Sequence, residues 1–255
     1  LITTTDHTIA DAPAGMMASR ELLEFFADPE REVPAARGLP PALETYMPAK
    51  SGTGTKPYVP AIRLPLKADW RAKRGTHSVN HALTEDETAA INELTKKHRA
   101  TIHGTMSAAL FEAIGNLYGL DEITAVSTIE LRRMCKPPLP ADTFGCYIDI
   151  LRMSYRIGGP FWDMARDASY KLVTTVAKEM ADASILKPMS WSSFREEGRR
   201  GMMKSGMRLD AMGMTSAGKV DMKRAFGPFR IVDTEMLMSM HVLGPGFFAV
   251  NFESE

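Results

Sequence analysis

The sequence opens on the stretch Leu1-Ile2-Thr3-Thr4-Thr5-Asp6-His7-Thr8-Ile9-Ala10-Asp11-Ala12-Pro13. Its β-branched run predicts a strand that ends at Asp6-His7, and the Leu and Phe pattern of residues 16–27 predicts a helix after a tight turn. A histidine at a strand end can project its imidazole into a cleft, while a carboxylate four residues later fixes the local backbone. The spacing His7-x-x-x-Asp11 therefore makes His7 the first candidate for acid–base chemistry.

The amino-acid composition is that of a globular protein and argues against some classes of binding partner. The 255 residues suffice for one large or two modest domains, and 44% hydrophobic with 24% charged residues is ordinary for a globular protein. Lys plus Arg equals Asp plus Glu at 31 each, which argues against nucleic acid or an anionic membrane surface and favours a neutral or small-molecule partner. No apolar run is long enough to span a bilayer.

The two cysteines indicate a reducing compartment. Cys135 and Cys146 are too few for a disulfide framework, and their spacing is not that of a metal-binding pair. We therefore expect a cytoplasmic protein without a metal site and without a permanently bound cofactor.

The remaining chain divides at a Pro-rich segment, residues 31–65, whose irregular composition predicts a linker. Beyond it, Thr84 and Glu87 form a capping-box pattern ahead of a helix. Periodicity predicts helices over 86–98, 106–118 and 161–180, strands over 76–83, 122–130, 146–153 and 214–220, and a hairpin made of 235–242 and 247–253.

The segment His7-Thr8-Ile9-Ala10-Asp11 resembles the active-site motif of the chloramphenicol acetyltransferase-like superfamily, which includes BAHD acyltransferases, alcohol acetyltransferases and peptide-synthetase condensation domains. Its single histidine is closer to the BAHD pattern, since Asp6 stands where many members have a second histidine. Ala12 departs from the motif, because many members have glycine there. A second resemblance follows the first in the expected order. It consists of Arg132 at a strand end, Pro137-Pro138-Leu139-Pro140, and Phe144-Gly145-Cys146, in which Cys146 replaces the usual asparagine.

This resemblance implies an α/β fold of two domains with mixed sheets flanked by helices, lacking its N-terminal section. Residues 1–30 would end the N-terminal subdomain, 31–75 would form a crossover linker, and 76–255 the C-terminal subdomain. The chain would then be a fragment, a processed product or one half of a split protein. For a split protein, a second polypeptide would supply the missing section, and we expect a heteromer. The implied reaction is acyl transfer from acetyl-CoA or another acyl-CoA, a co-substrate, to an alcohol or amine.

The resemblance also implies roles for individual residues. His7 would be the general base, because an alcohol at neutral pH is a poor nucleophile; otherwise it is a strand-end residue bonded to backbone. Asp11 would brace the loop by pairing with Arg132, although it is equally suited to cap the following helix. Thr215, Ser216 and Gly218, which lie in a segment similar to a strand and turn of the alcohol acetyltransferases, would contact the CoA.

Two other interpretations remain open. A carrier-protein thioester, rather than acyl-CoA, would be the donor in a condensation-type enzyme. A non-catalytic binding or assembly protein would keep the fold but lose the activity.

Overall fold

The structure is a computed structural model that describes residues 1–33, 35, 38, 40–47, 78–182, 192, 196, 213–220, 222–237 and 246–252. Much of the predicted linker and the methionine-rich segment before residue 213 lie outside the described residues, so the proposed domain boundaries stay predictions. None of the helices in the described ranges combines the length and apolar character needed to cross a membrane.

The helices begin and end at residues that the sequence marks. Thr84 and Glu87 form the predicted capping box of α3, and Gly119, with a φ of 64°, ends α4 in the left-handed conformation. Helix α1 starts before the predicted residue 16, because Asp11 caps it and Pro13 lies in its first turn. The helices are α1 Ala12–Ala27, α2 Leu43–Tyr46, α3 Glu85–Lys97, α4 Ile102–Tyr118 and α5 Phe161–Asp182.

A mixed sheet of four strands lies in the order β2-β1-β3-β6. The central strand β1 pairs antiparallel with β2 and parallel with β3, and β3 pairs parallel with β6. Strand β1 is buried along most of its length, whereas β2 alternates between buried and exposed side chains. The strands are β1 Glu122–Glu130, β2 Ile148–Arg156, β3 Gly213–Val220, β4 Ala225–Phe226, β5 Phe229–Arg230 and β6 Gly246–Phe252.

The main core lies between this sheet and the helices α4 and α5. Phe111 of α4 packs against Tyr155 of β2 with ring centroids 4.6 Å apart. The two helices approach closely at Gly104, where an added Cβ would lie 2.0 Å from the Ser169 Oγ and 2.5 Å from the Ala165 carbonyl oxygen. Only glycine allows the helix backbones to meet at this distance.

Two strand predictions were wrong. Residues 1–6 and 78–83 have no regular structure, and Ile2 and Val79 are 93% and 100% exposed, because neither segment buries one face against a neighbouring strand. Of the predicted hairpin strand 235–242, residues 235–237 are irregular and the rest lies outside the described residues. In the described part of the chain, β6 pairs in parallel with β3.

Candidate active site

His7 lies on a tight turn that Asp6 organises. The Asp6 carboxylate accepts hydrogen bonds from the Thr8 backbone N–H (2.9 Å) and hydroxyl (2.7 Å), and the Ile9 N–H donates to the Asp6 carbonyl (3.0 Å). The side-chain and backbone bonds from Thr8 lower the pKa of Asp6. The His7 side chain is exposed on this turn, so solvent-borne molecules can reach the imidazole.

Asp11 holds the other end of the motif in the protein interior. Its carboxylate is fully buried and accepts from the Ala14 N–H (3.0 Å), which caps α1, and from the Tyr147 N–H (2.9 Å). The Arg132 guanidinium binds both carboxylate oxygens, at 2.8 and 3.0 Å. Capping and bracing, the two roles considered for Asp11, therefore occur together.

Arg132 joins three segments of the chain. It lies in a 3₁₀ turn, Arg132–Met134, directly after β1, and its side chain donates to the Thr143 carbonyl (2.9 Å), the Gly145 carbonyl (3.1 Å) and the Glu130 carboxylate (2.9 Å). Burial disfavours its charge, but the hydrogen bonds and charges of Asp11 and Glu130 outweigh burial and raise the pKa of the guanidinium. We call the Asp11–Arg132 pair the brace.

The segment 143–147 connects the brace to His7. The Gly145 carbonyl accepts the Asp11 N–H (3.2 Å), and Gly145 has a φ of 152°; a Cβ there would lie 2.6 Å from the Tyr147 ring. The next residue, Cys146, places its Sγ 3.8 Å from the His7 Nδ1. Burial, followed by the charge of Asp11, raises the pKa of the Cys146 thiol.

The structure therefore brings together His7, Asp11 and Arg132, which the sequence analysis named as one site. An exposed imidazole on a turn, anchored by a buried ion pair, is an arrangement that can accept a proton from a bound molecule while its backbone stays fixed.

The residues proposed to contact CoA lie on β3, where a shift in strand register falls between Ser216 and Lys219 and so includes Gly218. The Thr215 hydroxyl bonds to the Thr128 hydroxyl on the neighbouring β1. This bond connects the Thr215 side chain to β1. A role in binding CoA stays a prediction for Thr215, Ser216 and Gly218.

Two of the other described histidines, His103 and His98, pack against neighbouring side chains, whereas His81 is exposed on an irregular segment. His103 is half-buried and its Nε2 lies 3.2 Å from the Ser127 hydroxyl; burial lowers its pKa. His98 stacks on Trp162 with ring centroids 4.1 Å apart. His77 and His241 lie outside the described residues. Where the structure describes the chain, no three His, Cys, Asp or Glu side chains group as metal ligands.

Sequence reasoning missed several residues that shape the site. Asp6 followed by Thr8 is a recognisable Asx-turn pattern, but Asp6 was noted only as a departure from the family motif. Arg132 also binds a second carboxylate, that of Glu130. This partner could have been predicted from the sequence, because it lies only two residues before the arginine. The contact between Cys146 and His7 joins residues 139 positions apart and had no such signal.

A comparison with protein-family models matches residues 72–206 to the family described as phthiocerol/phthiodiolone dimycocerosyl transferase C-terminus. The chain belongs to this family. The matched residues of this transferase family include Arg132 and Cys146, whereas His7 and Asp11 precede the match. No curated protein matches the sequence significantly.

Solved structures share the fold of this transferase-family chain. Polyketide synthase associated protein 5 from Mycobacterium tuberculosis is 17% identical with a TM-score of 0.59, and the match covers 97% of this chain and 64% of that one. The EpoB cyclization-docking bidomain from Sorangium cellulosum is 19% identical with a TM-score of 0.63, covering 94% and 50%. The epimerization domain from the third module of tyrocidine synthetase B is 11% identical with a TM-score of 0.61, covering 97% and 59%.

These matches confirm the predicted fold class, the mixed α/β fold of chloramphenicol acetyltransferase-like and condensation-type proteins. The chain spans between half and about two thirds of the length of these three structures. With the family, they identify an acyltransferase or condensation-type fold.

Proposed function

We propose that this chain carries the base of an enzyme that transfers an acyl group from a thioester, with acyl-CoA as co-substrate, to an alcohol or amine. The observation that supports this most is the position of His7, exposed on a turn whose backbone is fixed by the buried brace. A general base needs both properties, because it must reach its substrate and must hold one orientation while the proton moves.

In this reaction His7 both removes the proton from the acceptor and returns it to the leaving group, so no second proton carrier is needed. The neutral imidazole takes the proton of the acceptor hydroxyl or amine as that atom forms a bond to the thioester carbonyl carbon. The tetrahedral intermediate then breaks its carbon–sulfur bond, and the imidazolium returns the proton to the departing thiolate. The products are an ester or amide and free CoA thiol, and no covalent acyl-enzyme is needed.

Asp11 and Arg132 have a positioning role in this proposal. Both side chains are almost completely buried and form two paired hydrogen bonds with each other, so they hold the His7 turn against residues 143–147. Thr215, Ser216 and Gly218 are proposed to contact the CoA. Thr215→Val should then raise the KM for acyl-CoA more than it lowers kcat.

We further propose that a second polypeptide completes the site where the two substrates meet. In this proposal it corresponds to the part of the three similar structures that this chain does not match, since the chain spans 64% or less of each. Denaturing mass analysis of the natively purified protein tests this directly, since a stoichiometric companion would appear as a second mass. A single mass would contradict this part of the proposal without affecting the role of His7.

Release of free thiol from acyl-CoA in the presence of a panel of alcohols and amines measures the activity. We expect His7→Ala to lose turnover by at least about 100-fold, because general acid–base catalysis contributes that much or more. His81→Ala is the matched control, since His81 is exposed on an irregular segment and should leave turnover unchanged.

Equal turnover in wild type and His7→Ala would refute the role of His7. Turnover with a carrier-protein thioester but not with acyl-CoA would identify the condensation-type alternative. Binding of acyl-CoA without turnover in the complete assembly would favour the non-catalytic alternative.

A further inference from the structure

Cys146 contacts the candidate base directly. Its Sγ lies 3.8 Å from the His7 Nδ1, within hydrogen-bonding range for sulfur. A backbone hydrogen bond from Ile148 opposes the effect of burial on the pKa of this thiol. A thiol sulfur can accept hydrogen bonds from N–H donors, and the Nδ1–H of His7 lies within reach of this one.

The position of the Cys146 thiol is fixed by the brace. On one side, the Gly145 carbonyl accepts from the Asp11 N–H (3.2 Å) and from Arg132 (3.1 Å); on the other, the Tyr147 N–H donates to the Asp11 carboxylate (2.9 Å). Asp11 belongs to the same short segment as His7. One buried ion pair thus holds both members of the Cys146–His7 contact.

Burial raises the pKa of the Cys146 thiol, and Asp11 adds to the effect. The thiol therefore stays protonated near neutral pH and does not transfer its proton to His7. A thiolate–imidazolium pair, in which His7 would already be protonated and unable to act as a base, is disfavoured by the same burial.

We propose that Cys146 is a positioning residue for His7: its sulfur accepts the Nδ1–H of the neutral imidazole and leaves Nε2 as the atom that takes the acceptor proton. This inference rests on the proposed function for its consequence in catalysis, but the tautomer itself is a property of the resting protein. An imidazole has one N–H when neutral, so a partner that fixes the proton on Nδ1 makes Nε2 the acceptor.

Among the described residues, the charged groups that act on this contact are Asp6, whose carboxylate interacts with His7 through space, and the two members of the brace, Asp11 and Arg132, which act on Cys146. None of them is replaced in the variants below. A change in the His7 tautomer can then be assigned to the sulfur.

Nitrogen-15 NMR of the protein labelled at histidine measures the tautomer without any substrate. In the wild type, at a pH where His7 is neutral, we expect Nδ1 protonated and Nε2 bare. Cys146→Ala should shift the proton toward Nε2, while Cys146→Ser should restore the wild-type pattern, because its hydroxyl oxygen also accepts an N–H. Cys135→Ser is the matched control, since it removes the other thiol, which is buried away from solvent, and should leave the His7 signals unchanged.

Steady-state kinetics supply the second measurement. Cys146→Ala should lower kcat at least about tenfold with little change in KM, because a base in the wrong tautomer loses transition-state stabilisation. Cys146→Ser should recover most of kcat. If the alanine variant fails to fold, the serine variant still tests whether an acceptor at position 146 is enough to support turnover.

A bare Nδ1 in the wild type, or an unchanged tautomer in Cys146→Ala, overturns the inference whether or not the protein turns over. The expected tautomers in a protein with no thioester turnover would support the positioning contact and refute the proposed function. The two failures are therefore distinguishable.

Discussion

The two ends of the His7-x-x-x-Asp11 motif occupy opposite environments. Asp11 has no exposed side-chain surface and is bonded by backbone and side-chain donors on both oxygens, whereas His7 is exposed and its side-chain contact is with Cys146. Three residues separate a group that stabilises the fold from a group available for chemistry. The difference shows why the motif needs both residues: the buried end determines the conformation in which the exposed end is presented.

The largest effect should come from breaking the buried end. Asp11→Asn places an amide N–H₂ among the donors of Arg132, Ala14 and Tyr147 and leaves the buried guanidinium poorly compensated. We expect a loss of about 3–5 kcal/mol in the free energy of unfolding, measured by denaturant titration.

The matched control for this change is Asp167→Asn, which removes the same charge from an exposed pair with Lys171 (2.7 Å) on α5. Its cost should be under about 1 kcal/mol. If the two substitutions cost the same, the brace is not what holds the motif.

The second prediction concerns the segment between the buried and exposed ends. Gly145→Ala puts a Cβ 2.6 Å from the Tyr147 ring in a left-handed conformation, and should cost about 1–3 kcal/mol. Gly159→Ala is the control, because a Cβ there meets open space. Thermal unfolding of both variants distinguishes strain at Gly145 from a general cost of replacing glycine, which would appear equally in the two.

The contrast between exposed and buried groups extends to a second histidine. Burial lowers the pKa of His103, so between its folded-state pKa and its ordinary pKa the unfolded chain binds a proton that the folded protein does not. The neutral His103 ring contributes fully to the free energy of unfolding above about pH 6.5. This contribution is lost as the pH falls through the folded-state pKa of His103, by at most about 1.4 kcal/mol per pH unit.

His103→Gln should therefore flatten the fall in unfolding free energy between pH 7 and pH 5. NMR titration of the His103 ring provides an independent check. A midpoint at or above that of a free histidine would contradict the prediction.

The smallest effect on stability should come from the exposed end. Asp6→Ala removes the acceptor of both Thr8 bonds in the His7 turn, on a fully solvated surface, and should leave Tm unchanged. If His7 is the base, thioester turnover should nevertheless fall several-fold, because the turn no longer holds the imidazole in one orientation. Ser78→Ala, which removes an exposed side-chain bond to Glu235, is the control. A drop in Tm without a drop in turnover would reverse the assigned role of Asp6.

Local signals explain what the sequence could predict. The Thr84–Glu87 capping box, the glycine after α4 and the apolar periodicity of β1 are properties of a few adjacent residues, and those elements were predicted within a few residues of their bounds. The Asp11–Arg132 pair came from a resemblance of motif order, since nothing adjacent to either residue identifies the other.

The errors have a common physical cause. Residues 1–6 and 78–83 have strand-like composition, but a strand also needs a neighbour and a buried face, which local sequence does not contain. The Cys146–His7 contact was missed for a related reason, because it depends on how Arg132 positions the segment 143–147.

The brace closes a loop of 121 residues, and this separation has a consequence for synthesis on the ribosome. The His7 turn is translated before Arg132 and Tyr147, so its anchor cannot form until these two residues have emerged. Because such non-local closure comes late in folding, the candidate base remains unorganised while the helices α3 and α4 are already able to form from local contacts. Assembly of the site is thus coupled to completion of the β1–β2 pairing, and a nascent chain truncated before residue 132 would carry the whole motif without its geometry.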